Sequence, residues 1–253
     1  WGMDIKMKII GLIPSRINSS RLPQKPLLEI EGIPLVIHTY RRAKLSKKLN
    51  DIFICCDDEK IMNIAKKFKA KAIMTSSHHV NGTERICEAY LKLKKKYDLI
   101  VDVQGDEPLI SPYHVDKVID FHLKNKNMDI ILPHLQIENL NNPNIVKIVT
   151  DKKDNVLFLS RAQIPFAFKL PSKKIKKHLS IISFLPQALI KYSKSKKTNL
   201  EQIEDIELLR ALEIGLKIKT LKMKGDSFSV DIIKDLKNAK LRMKDDKIFK
   251  IYK

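Results

Sequence analysis

Residues 8–45 read KIIGLIPSRINSSRLPQKPLLEIEGIPLVIHTYRRAKL, and this stretch decides the fold. Its apolar start, Lys8 to Pro14, predicts a buried strand, and Leu35 to Leu45 has the apolar spacing of a helix. The same order of strand and helix recurs along the first half of the chain: Asp51 to Cys56 with Glu59 to Phe68, Ala72 to Thr75 with Thr83 to Lys95, and Leu99 to Val103 with Pro112 to Lys124. Such repeats predict βαβ units, and hence an α/β fold with a mostly parallel central sheet covered by helices.

The second half of the chain has a different pattern, which predicts a small inserted lobe of antiparallel strands over about residues 128–185. Its clearest signal is a hairpin, with strands at Ile145 to Thr150 and Val156 to Ser160 around a polar turn. After the hairpin, Pro171 to Lys177 is interpreted as a basic surface connection and His178 to Phe184 as one strand. The remaining predicted elements are helices at Pro186 to Tyr192, Glu201 to Gly215 and Ile232 to Met243, and a strand at Lys217 to Met223.

These elements predict one domain over residues 7–243, followed by a C-terminal surface tail over residues 244–253. Because the chain opens with Trp1, residues 1–6 are expected to be a leftover of recombinant expression or a disordered start.

No apolar run approaches the roughly 18 to 20 residues of a membrane span, and the start lacks the apolar segment of a signal peptide. We therefore expect a cytoplasmic protein without membrane insertion. The three cysteines, Cys55, Cys56 and Cys87, are expected to be core thiols.

The chain is strongly basic: 49 Lys and Arg residues stand against 29 Asp and Glu residues, a net charge of +20. This charge favours anionic ligands, and one hypothesis is a nucleic-acid-binding protein. Most lysines, however, lie in scattered polar runs, which is typical of solvated surfaces. Aromatic residues make up only 6% of the chain and are not interleaved with basic residues, as base stacking would need. We therefore expect no nucleic-acid partner.

The loop after the first strand carries three cations, Arg16, Arg21 and Lys25, together with Ser19 and Ser20. Ligands of open α/β sheets bind beyond the carboxyl ends of strands, and guanidinium and ammonium groups at that place can neutralise a triphosphate. The loop matches neither the Walker pattern GxxxxGK[ST] nor the dinucleotide pattern GxGxxG. A solvated basic loop without a ligand is the alternative.

A carboxylate follows another predicted strand, in the motif VDVQGDEP at residues 101–108. Asp106 in this motif is a candidate ligand of Mg²⁺, and Gly105 before it allows close approach of the backbone. An ordinary Gly-Asp turn is the alternative.

A third motif, NGTER at residues 81–85, opens a predicted helix. Gly82 and the first helical amides could approach a nucleotide, and Thr83 could cap the helix; a cap without a ligand is the alternative. The neighbouring pair His78-His79 is not interpreted as a metal site, because adjacent histidines do not share a helix face.

These motifs together resemble one known family. Pro14 to Leu27, then GTER at residues 82–85 and VQGDEP at residues 103–108, are similar in order and spacing to the 3-deoxy-manno-octulosonate cytidylyltransferase (CMP-Kdo synthetase) family. The resemblance spans about Met7 to Met243. Further matching positions are Pro143-Asn144, Val146-Lys147, Ser160-Arg161-Ala162, Ile164-Pro165, His178-Leu179, Ile203-Glu204, Glu207, Leu209-Arg210, Val230-Asp231 and Asp235-Leu236.

The resemblance implies a Rossmann-like nucleotidyltransferase fold, usually in a homodimer. It implies that CTP is joined to a 3-deoxy-2-keto sugar acid, Kdo, with release of pyrophosphate and with Mg²⁺ as cofactor, and that the product serves lipopolysaccharide biosynthesis. The implied metal ligands are Asp106 and Asp231. The implied catalytic residues are Arg16, Lys25, Asp106 and Asp231. The implied nucleotide-binding residues are Arg16, Ser19, Arg21, Lys25, Thr75, Ser76, Gly82, Arg85 and Gln104. The implied sugar-binding residues are Gln104, Arg161, His178 and Glu207.

The chain departs from the family pattern at four places, three of them on the implied sugar side. They are Gln24, Ser180 to Ile182, Leu208, and Ile232 to Lys234. An apolar Leu208 where the family has a polar residue could remove a contact to a sugar hydroxyl, and unpaired polar groups discriminate strongly between substrates. Two alternatives therefore stay open: the same chemistry on 8-amino-Kdo or another ulosonic acid, and a catalytically decayed sugar-nucleotide-binding protein.

Overall fold

The computed structural model describes residues 7–138, 142–170, 174–226 and 228–253, so the predicted start at residues 1–6 lies outside the described residues. The chain divides into two units. Unit 1 contains the chain up to Lys117 and again after Asp226, and unit 2 runs from Val118 to Asp226. Unit 2 contains the whole segment of residues 128–185 in which the inserted lobe is predicted.

Strands and helices alternate in the first part of the chain, as predicted. In chain order they are β1 (Ile9–Ser15), a 3₁₀ turn (Lys25–Leu27), β2 (Glu29–Ile30), β3 (Ile33–Pro34), α1 (Leu35–Lys44), β4 (Asp51–Cys56), α2 (Glu59–Lys67), β5 (Ala72–Met74), α3 (Gly82–Lys92), β6 (Leu99–Val103) and α4 (Pro112–Lys124). The sheet of unit 1 has the order β5-β4-β1-β6 and is parallel throughout. Every residue of β1 is buried, because it has a neighbour strand on each side and α1 and α3 pack on it. The loops that follow these four strands therefore share one edge of the sheet.

Unit 2 consists mainly of antiparallel strands. Its elements are β7 (Ile130–Glu138), β8 (Lys147–Thr150), β9 (Val156–Ser160), β10 (Lys174–His178), β11 (Ile181–Phe184), α5 (Pro186–Lys194), α6 (Asn199–Glu204), α7 (Glu207–Glu213) and β12 (Ile218–Met223). The long strand β7 is the centre: β11 and β10 pair with it antiparallel in succession, and β12 pairs with it parallel. The predicted hairpin is formed by β8 and β9. The α/β class and the antiparallel strands of the second half are thus confirmed.

Three predictions for unit 2 are wrong in detail. The predicted basic connection is a strand from Lys174 onward, because β10 pairs with both β7 and β8; residues 171–173 lie outside the described residues. The single strand predicted over His178 to Phe184 is the end of β10 followed by β11. The single helix predicted over Glu201 to Gly215 is two, α6 and α7, because Asp205 adopts a left-handed backbone conformation with φ of 50° between them.

The chain returns to unit 1 with two helices, α8 (Ile233–Lys244) and α9 (Phe249–Tyr252). The predicted surface tail over residues 244–253 is mostly exposed, but its last residues form α9, which packs on α1 and buries Phe249. His38 of α1 donates from Nε2 to the carbonyl of Ile30 at 2.8 Å, so the Nδ1 of its neutral ring accepts a hydrogen bond from the Tyr252 hydroxyl of α9 at 2.9 Å.

The predicted core thiols are confirmed, since Cys55, Cys56 and Cys87 are all buried and unbridged. Burial raises the pKa of Cys56 to about 11, so this thiol stays protonated at neutral pH. Across the described ranges, no helix combines the length and the apolar character that a membrane crossing needs.

Candidate active site

Two carboxylates converge on one ammonium group at the strand-end edge of unit 1. Lys25 Nζ lies 2.8 Å from Asp106 Oδ2 and 3.3 Å from Asp231 Oδ1. Asp106 follows β6, Asp231 precedes α8, and Lys25 begins the 3₁₀ turn after β1. Three segments that are distant in the sequence therefore bring opposite charges within hydrogen-bond distance, as the resemblance implied for the residues around the metal and the phosphates.

The backbone around the two carboxylates is held by further hydrogen bonds. Val230 N donates to Asp106 O at 2.9 Å and so ties the two carboxylate-bearing segments together. Asp235, in the first turn of α8, accepts hydrogen bonds from the backbone N–H groups of Asp231 and Ile232, both at 3.0 Å. These bonds satisfy amides that the start of a helix leaves without intrahelical partners, and they fix where Asp231 stands.

Gly105 permits the close approach that places Asp106 beside β1. A Cβ atom at residue 105 would lie only 2.6 Å from the carbonyl oxygen of Pro14, a distance that real side chains do not adopt. The Thr39 hydroxyl donates to the carbonyl of Gly105 at 3.3 Å from the other side. The glycine is therefore required by packing against a backbone atom.

The basic loop after β1 presents its cations to solvent beside these carboxylates. Arg16 and Arg21 are exposed and Ser19 is half-buried. Arg21 Nη2 reaches Asp231 Oδ1 at 3.0 Å, so a second cation joins the group around Lys25. An exposed set of guanidinium, ammonium and hydroxyl groups at this edge suits a polyanionic ligand.

Asp106 and Asp231 fit a magnesium ion by their chemistry, since Mg²⁺ prefers hard carboxylate oxygens. In the part of the chain that the structure describes, no group of three or more His, Cys, Asp or Glu side chains could hold a metal ion. A pair of carboxylates is what Mg²⁺ uses when substrate phosphates and water complete its shell. His79, which the sequence analysis leaves without a metal role, contacts Glu88 and Glu84.

Thr75 and Ser76, two of the implied nucleotide-binding residues, form the turn after β5 and are held in place by Arg85. Arg85 Nη1 donates to Thr75 Oγ1 at 2.7 Å and to the carbonyl of Ser76 at 3.2 Å. The side chain of Arg85 is only 3% exposed, and its Nη2 pairs with Asp57 at 2.9 Å. Arg85, predicted to bind the nucleotide, thus has both terminal guanidinium nitrogens engaged by protein atoms.

The start of α3 differs from the prediction in its cap. Asn81, and not Thr83, caps the helix: its side-chain oxygen accepts from Glu84 N at 2.9 Å, while Thr83 is buried in the first turn. Gly82 lies where a Cβ would be 3.2 Å from Pro14 Cγ and 3.4 Å from Gln104 Nε2. The helix start and Gln104 are therefore neighbours.

Three of the predicted sugar-binding residues belong to unit 2. The guanidinium of Arg161 donates to the backbone carbonyls of Glu204, Pro143 and Asp205 at 2.8, 3.1 and 3.0 Å. It thereby holds the junction between α6 and α7, two residues before Glu207, which is half-buried in the first turn of α7. Gln104, the fourth predicted residue, is half-buried in unit 1 and donates to Asp102 at 2.8 Å.

His178, at the end of β10, carries a ring nitrogen that is ready for a ligand. Its Nε2 is buried and has no hydrogen-bond partner among the described residues. Burial, together with the positive charge of Lys177, lowers the pKa of His178 to about 4, so the ring is neutral at pH 7. Buried polar atoms are normally paired, so this orphaned nitrogen supports a binding role.

Lys147 and Glu204 belong to motifs that matched the family, but the sequence analysis gave them no role. Lys147 is buried in β8 and its ammonium donates to the carbonyls of Asn142 and Arg161 at 2.7 and 2.6 Å. Burial and the neighbouring Arg161 lower the pKa of Lys147. Glu204 accepts from Ser160 Oγ at 2.5 Å and from Arg161 N at 2.9 Å. Both residues thus hold Arg161 in place.

Asp57 is the third residue that the sequence analysis missed, although a signal existed. It directly follows β4, at the same edge of the sheet as the loops already considered. Applying the strand-end rule to every strand would have selected it.

Comparison with known proteins extends these observations. The family model described as "Cytidylyltransferase" matches residues 10–218. The 3-deoxy-manno-octulosonate cytidylyltransferase of Fusobacterium nucleatum is 40% identical over 245 residues, which are 96% of this chain and 99% of that protein. The 8-amino-3,8-dideoxy-manno-octulosonate cytidylyltransferase of Shewanella halifaxensis is 37% identical over 242 residues, 94% of this chain and 99% of that protein. A solved structure of a CMP:2-keto-3-deoxy-manno-octonic acid synthetase complexed with CTP has a TM-score of 0.88 at 30% identity, covering 94% of this chain and 98% of that chain.

The protein is a nucleotidyltransferase, because enzymes that transfer a nucleotide match it over nearly its whole length and share its fold. The matched family model narrows the nucleotide to cytidylate. Within that class, the chain belongs to the family of 3-deoxy-manno-octulosonate cytidylyltransferases, as its motifs indicated.

Proposed function

We propose that the protein transfers CMP from CTP to Kdo and releases pyrophosphate in a Mg²⁺-dependent reaction. The observation that supports this most directly is the meeting of Asp106, Asp231 and Lys25 at one strand-end edge, with Arg21 beside them. Relatives of 40% and 30% identity carry names for this activity.

The chemistry needs positioning and charge stabilisation and no covalent enzyme intermediate. The anomeric hydroxyl of the sugar acid gives up its proton to solvent, and its oxygen bonds to the α-phosphorus while the bond from that phosphorus to the leaving pyrophosphate breaks. We assign Lys25, Arg16 and Arg21 to the negative charge that departs with the pyrophosphate, and Ser19 to a phosphate oxygen. Asp106 and Asp231 would hold Mg²⁺, which would supply further charge neutralisation and lower the pKa of the attacking hydroxyl.

Binding of the two substrates is assigned to different residues. Thr75, Ser76, Gly82 and Gln104 are assigned to the cytidine part of CTP. His178 and Glu207 are assigned to the sugar acid, with the buried Nε2 of His178 as support. Arg161 is assigned to the sugar side as well, where its three bonds to carbonyls hold the chain that leads to Glu207.

The experiment measures pyrophosphate release by the purified protein with Mg²⁺ and CTP. Four reactions run in parallel, with Kdo, 8-amino-Kdo, a sialic acid and no sugar, and a fifth omits Mg²⁺ and contains a chelator. We expect release with Kdo that depends on Mg²⁺. No release with any of the acids would contradict the proposed function and favour a sugar-nucleotide binder without activity.

The second candidate is the same transfer to 8-amino-Kdo. It is favoured by relatives such as the Shewanella halifaxensis protein, whose identity of 37% is close to that of the Kdo-named relatives. Ile182 and Leu208, two of the positions that depart from the family pattern, are interior residues of unit 2 with exposures of 1% and 2%. Release of pyrophosphate with 8-amino-Kdo alone would keep the chemistry and change the substrate.

We also propose that the protein acts in the cytoplasm, where CTP is available, and that its product serves lipopolysaccharide biosynthesis.

A homodimer is proposed because unit 2 exposes three apolar side chains close together in sequence, Phe166, Phe168 and Leu170. Light scattering should give twice the mass of the chain, and Phe166→Ser with Phe168→Ser should shift it toward the monomer. Leu241→Ser, at an exposed apolar residue of α8, is the matched control.

A further inference from the structure

Asp57 is a buried carboxylate to which the proposed reaction gives no role. Its side chain is 7% exposed and lies directly after β4. Removing a carboxylate from water is costly unless it is paired and hydrogen-bonded. The hydrogen-bond partners of Asp57 therefore indicate which parts of the structure its carboxylate holds in place.

One oxygen of Asp57 holds the basic loop. Asp57 Oδ1 accepts a hydrogen bond from the backbone N–H of Ile17 at 2.9 Å. Ile17 follows Arg16 and comes two residues before Ser19, both of which are assigned to the triphosphate. The bond holds the loop by its backbone and engages none of its cationic side chains.

The other oxygen of Asp57 leads to the turn after β5. Asp57 Oδ2 accepts from Arg85 Nη2 at 2.9 Å, and Arg85 Nη1 donates to Thr75 Oγ1 at 2.7 Å and Ser76 O at 3.2 Å. Thr75 Oγ1 in turn donates to the carbonyl of Cys56 at 2.9 Å. Through one buried ion pair, the loop after β1 is connected to the turn after β5.

We propose that the Asp57–Arg85 pair is a positioning device that keeps the triphosphate loop and the base-binding turn in register, so that one CTP molecule engages both. This inference rests on the proposed function for the assignment of the two loops. Arg85 acts through Thr75 and Ser76, because the terminal nitrogens of its guanidinium are engaged by protein atoms. A ligand that spans both loops gains from their fixed separation, whereas a fragment that touches one loop does not.

The experiment compares the binding of CTP with the binding of its two parts. Calorimetry measures the Kd of CTP, of cytidine and of tripolyphosphate for the wild-type protein and for Asp57→Asn. The asparagine oxygen can still accept from Ile17 N, but its amide group cannot accept from Arg85. We expect the Kd of CTP to rise about tenfold, while the Kd of each fragment changes by less than about threefold.

Kinetics provide a second measurement, the separate effects on KM and kcat, because a purely structural role of Asp57 would not change KM alone. In Asp57→Asn the KM for CTP should rise while kcat stays within about threefold of wild type. The preference for CTP over UTP should also fall, since the base-binding turn is no longer held in register. A parallel loss of affinity for CTP and both fragments, or an unchanged Kd for CTP, would overturn the proposal.

A matched control exists in the same unit. Asp246→Asn breaks the ion pair of Asp246 with Arg42, whose side chain is 2% exposed and which also donates to the carbonyls of Leu109 and Ile110, outside both loops. This variant should lose thermal stability, as Asp57→Asn does, and keep the wild-type Kd for CTP. If Asp57→Asn does not fold, Arg85→Lys gives the same test, because a single ammonium cannot make the three bonds of the guanidinium.

The proposed function and this inference fail in different ways. Wild-type protein that binds CTP but releases no pyrophosphate with any sugar acid would contradict the proposed activity and leave the binding comparison standing. Active wild-type protein with an unchanged Kd in Asp57→Asn would overturn the inference alone. Wild-type protein that does not bind CTP would overturn both.

Discussion

Asp106 is the residue on which the proposed chemistry depends most. Its side chain is 27% exposed and its carboxylate pairs with Lys25, so asparagine fits the same space without leaving an isolated buried charge. We expect Asp106→Asn to lower kcat for pyrophosphate release roughly 100-fold or more, with a melting temperature close to that of wild type. Asp116→Asn, which alters a carboxylate bound to Ser46, is the control and should keep its activity. Turnover at the wild-type rate in Asp106→Asn would remove this residue from the mechanism.

Two glycines of unit 1 offer a graded test of close packing. A methyl group at residue 105 would lie 2.6 Å from the carbonyl oxygen of Pro14, which cannot move without distorting β1. For a methyl group at residue 82, the nearest atoms outside the helix backbone would be side-chain atoms of Pro14 and Gln104, at 3.2 Å and 3.4 Å. Urea denaturation should show that Gly105→Ala costs about 1–3 kcal/mol of unfolding free energy, and that Gly82→Ala costs less. Equal losses would show that the Pro14 carbonyl does not limit residue 105.

At the scale of the element, the short helix α9 should contribute more stability than its length suggests. Phe249 is 4% exposed and Tyr252 bonds to His38, while Ile251, between them, is 69% exposed. Phe249→Ala should cost about 3–5 kcal/mol of unfolding free energy, because it leaves a cavity against α1. Ile251→Ala should change it by less than about 0.5 kcal/mol. A small effect of Phe249→Ala in urea denaturation would mean that α9 is not docked in solution.

The elements that sequence analysis predicts well are those with a strong local signal. The strands β1, β4, β5 and β6 are short apolar runs, and their helices have regular apolar spacing. The strand β10 was missed because Lys174, Lys176 and Lys177 hide its alternation, and its pairing with β7 joins residues about 40 positions apart. The docking of α9 is hidden in the sequence because six of the ten residues of the tail are charged, although Phe249 and Tyr252 are spaced as one helix face.

The residues of the candidate site also divide into those that the local sequence indicates and those that only the structure shows. The cations of the basic loop and Asp106 could be selected by their position after strands. Asp231 lies 125 residues after Asp106 and was added only by the resemblance, because nothing in its local sequence places it at the same edge. The position of Asp57 after β4 could be selected in the same way, but the bonds that Asp57 and Arg85 make follow from side-chain contacts between four segments. No local pattern encodes such contacts. Sequence therefore indicates which residues lie at the edge, and the structure shows which of them touch one another.

At the scale of the whole molecule, four histidines set the response to acid. Burial lowers the pKa of His38 in unit 1, and of His122, His134 and His178 in unit 2, to about 4 in each case. In the unfolded chain the value is near 6.5. Between pH 6.5 and pH 4 the unfolded chain therefore binds protons that the folded chain does not bind. The contribution of these neutral rings to the unfolding free energy is therefore fully present above pH 6.5 and is lost as the pH falls toward 4.

We therefore expect the unfolding free energy to fall between pH 7.5 and pH 5.0, by roughly 2 kcal/mol for each histidine. Urea denaturation at a series of pH values measures this slope. His38→Gln should reduce the slope by about a quarter, because one of four protonation sites is removed, and His78→Gln, at an exposed residue, should leave it unchanged. The carboxylates contribute mainly at lower pH, since hydrogen bonds from Lys92, Ser76 and His79 outweigh burial and lower the pKa of Glu88 to about 2. A free energy that is constant from pH 7.5 to pH 5.0 would mean that these rings are accessible to protons in the folded protein.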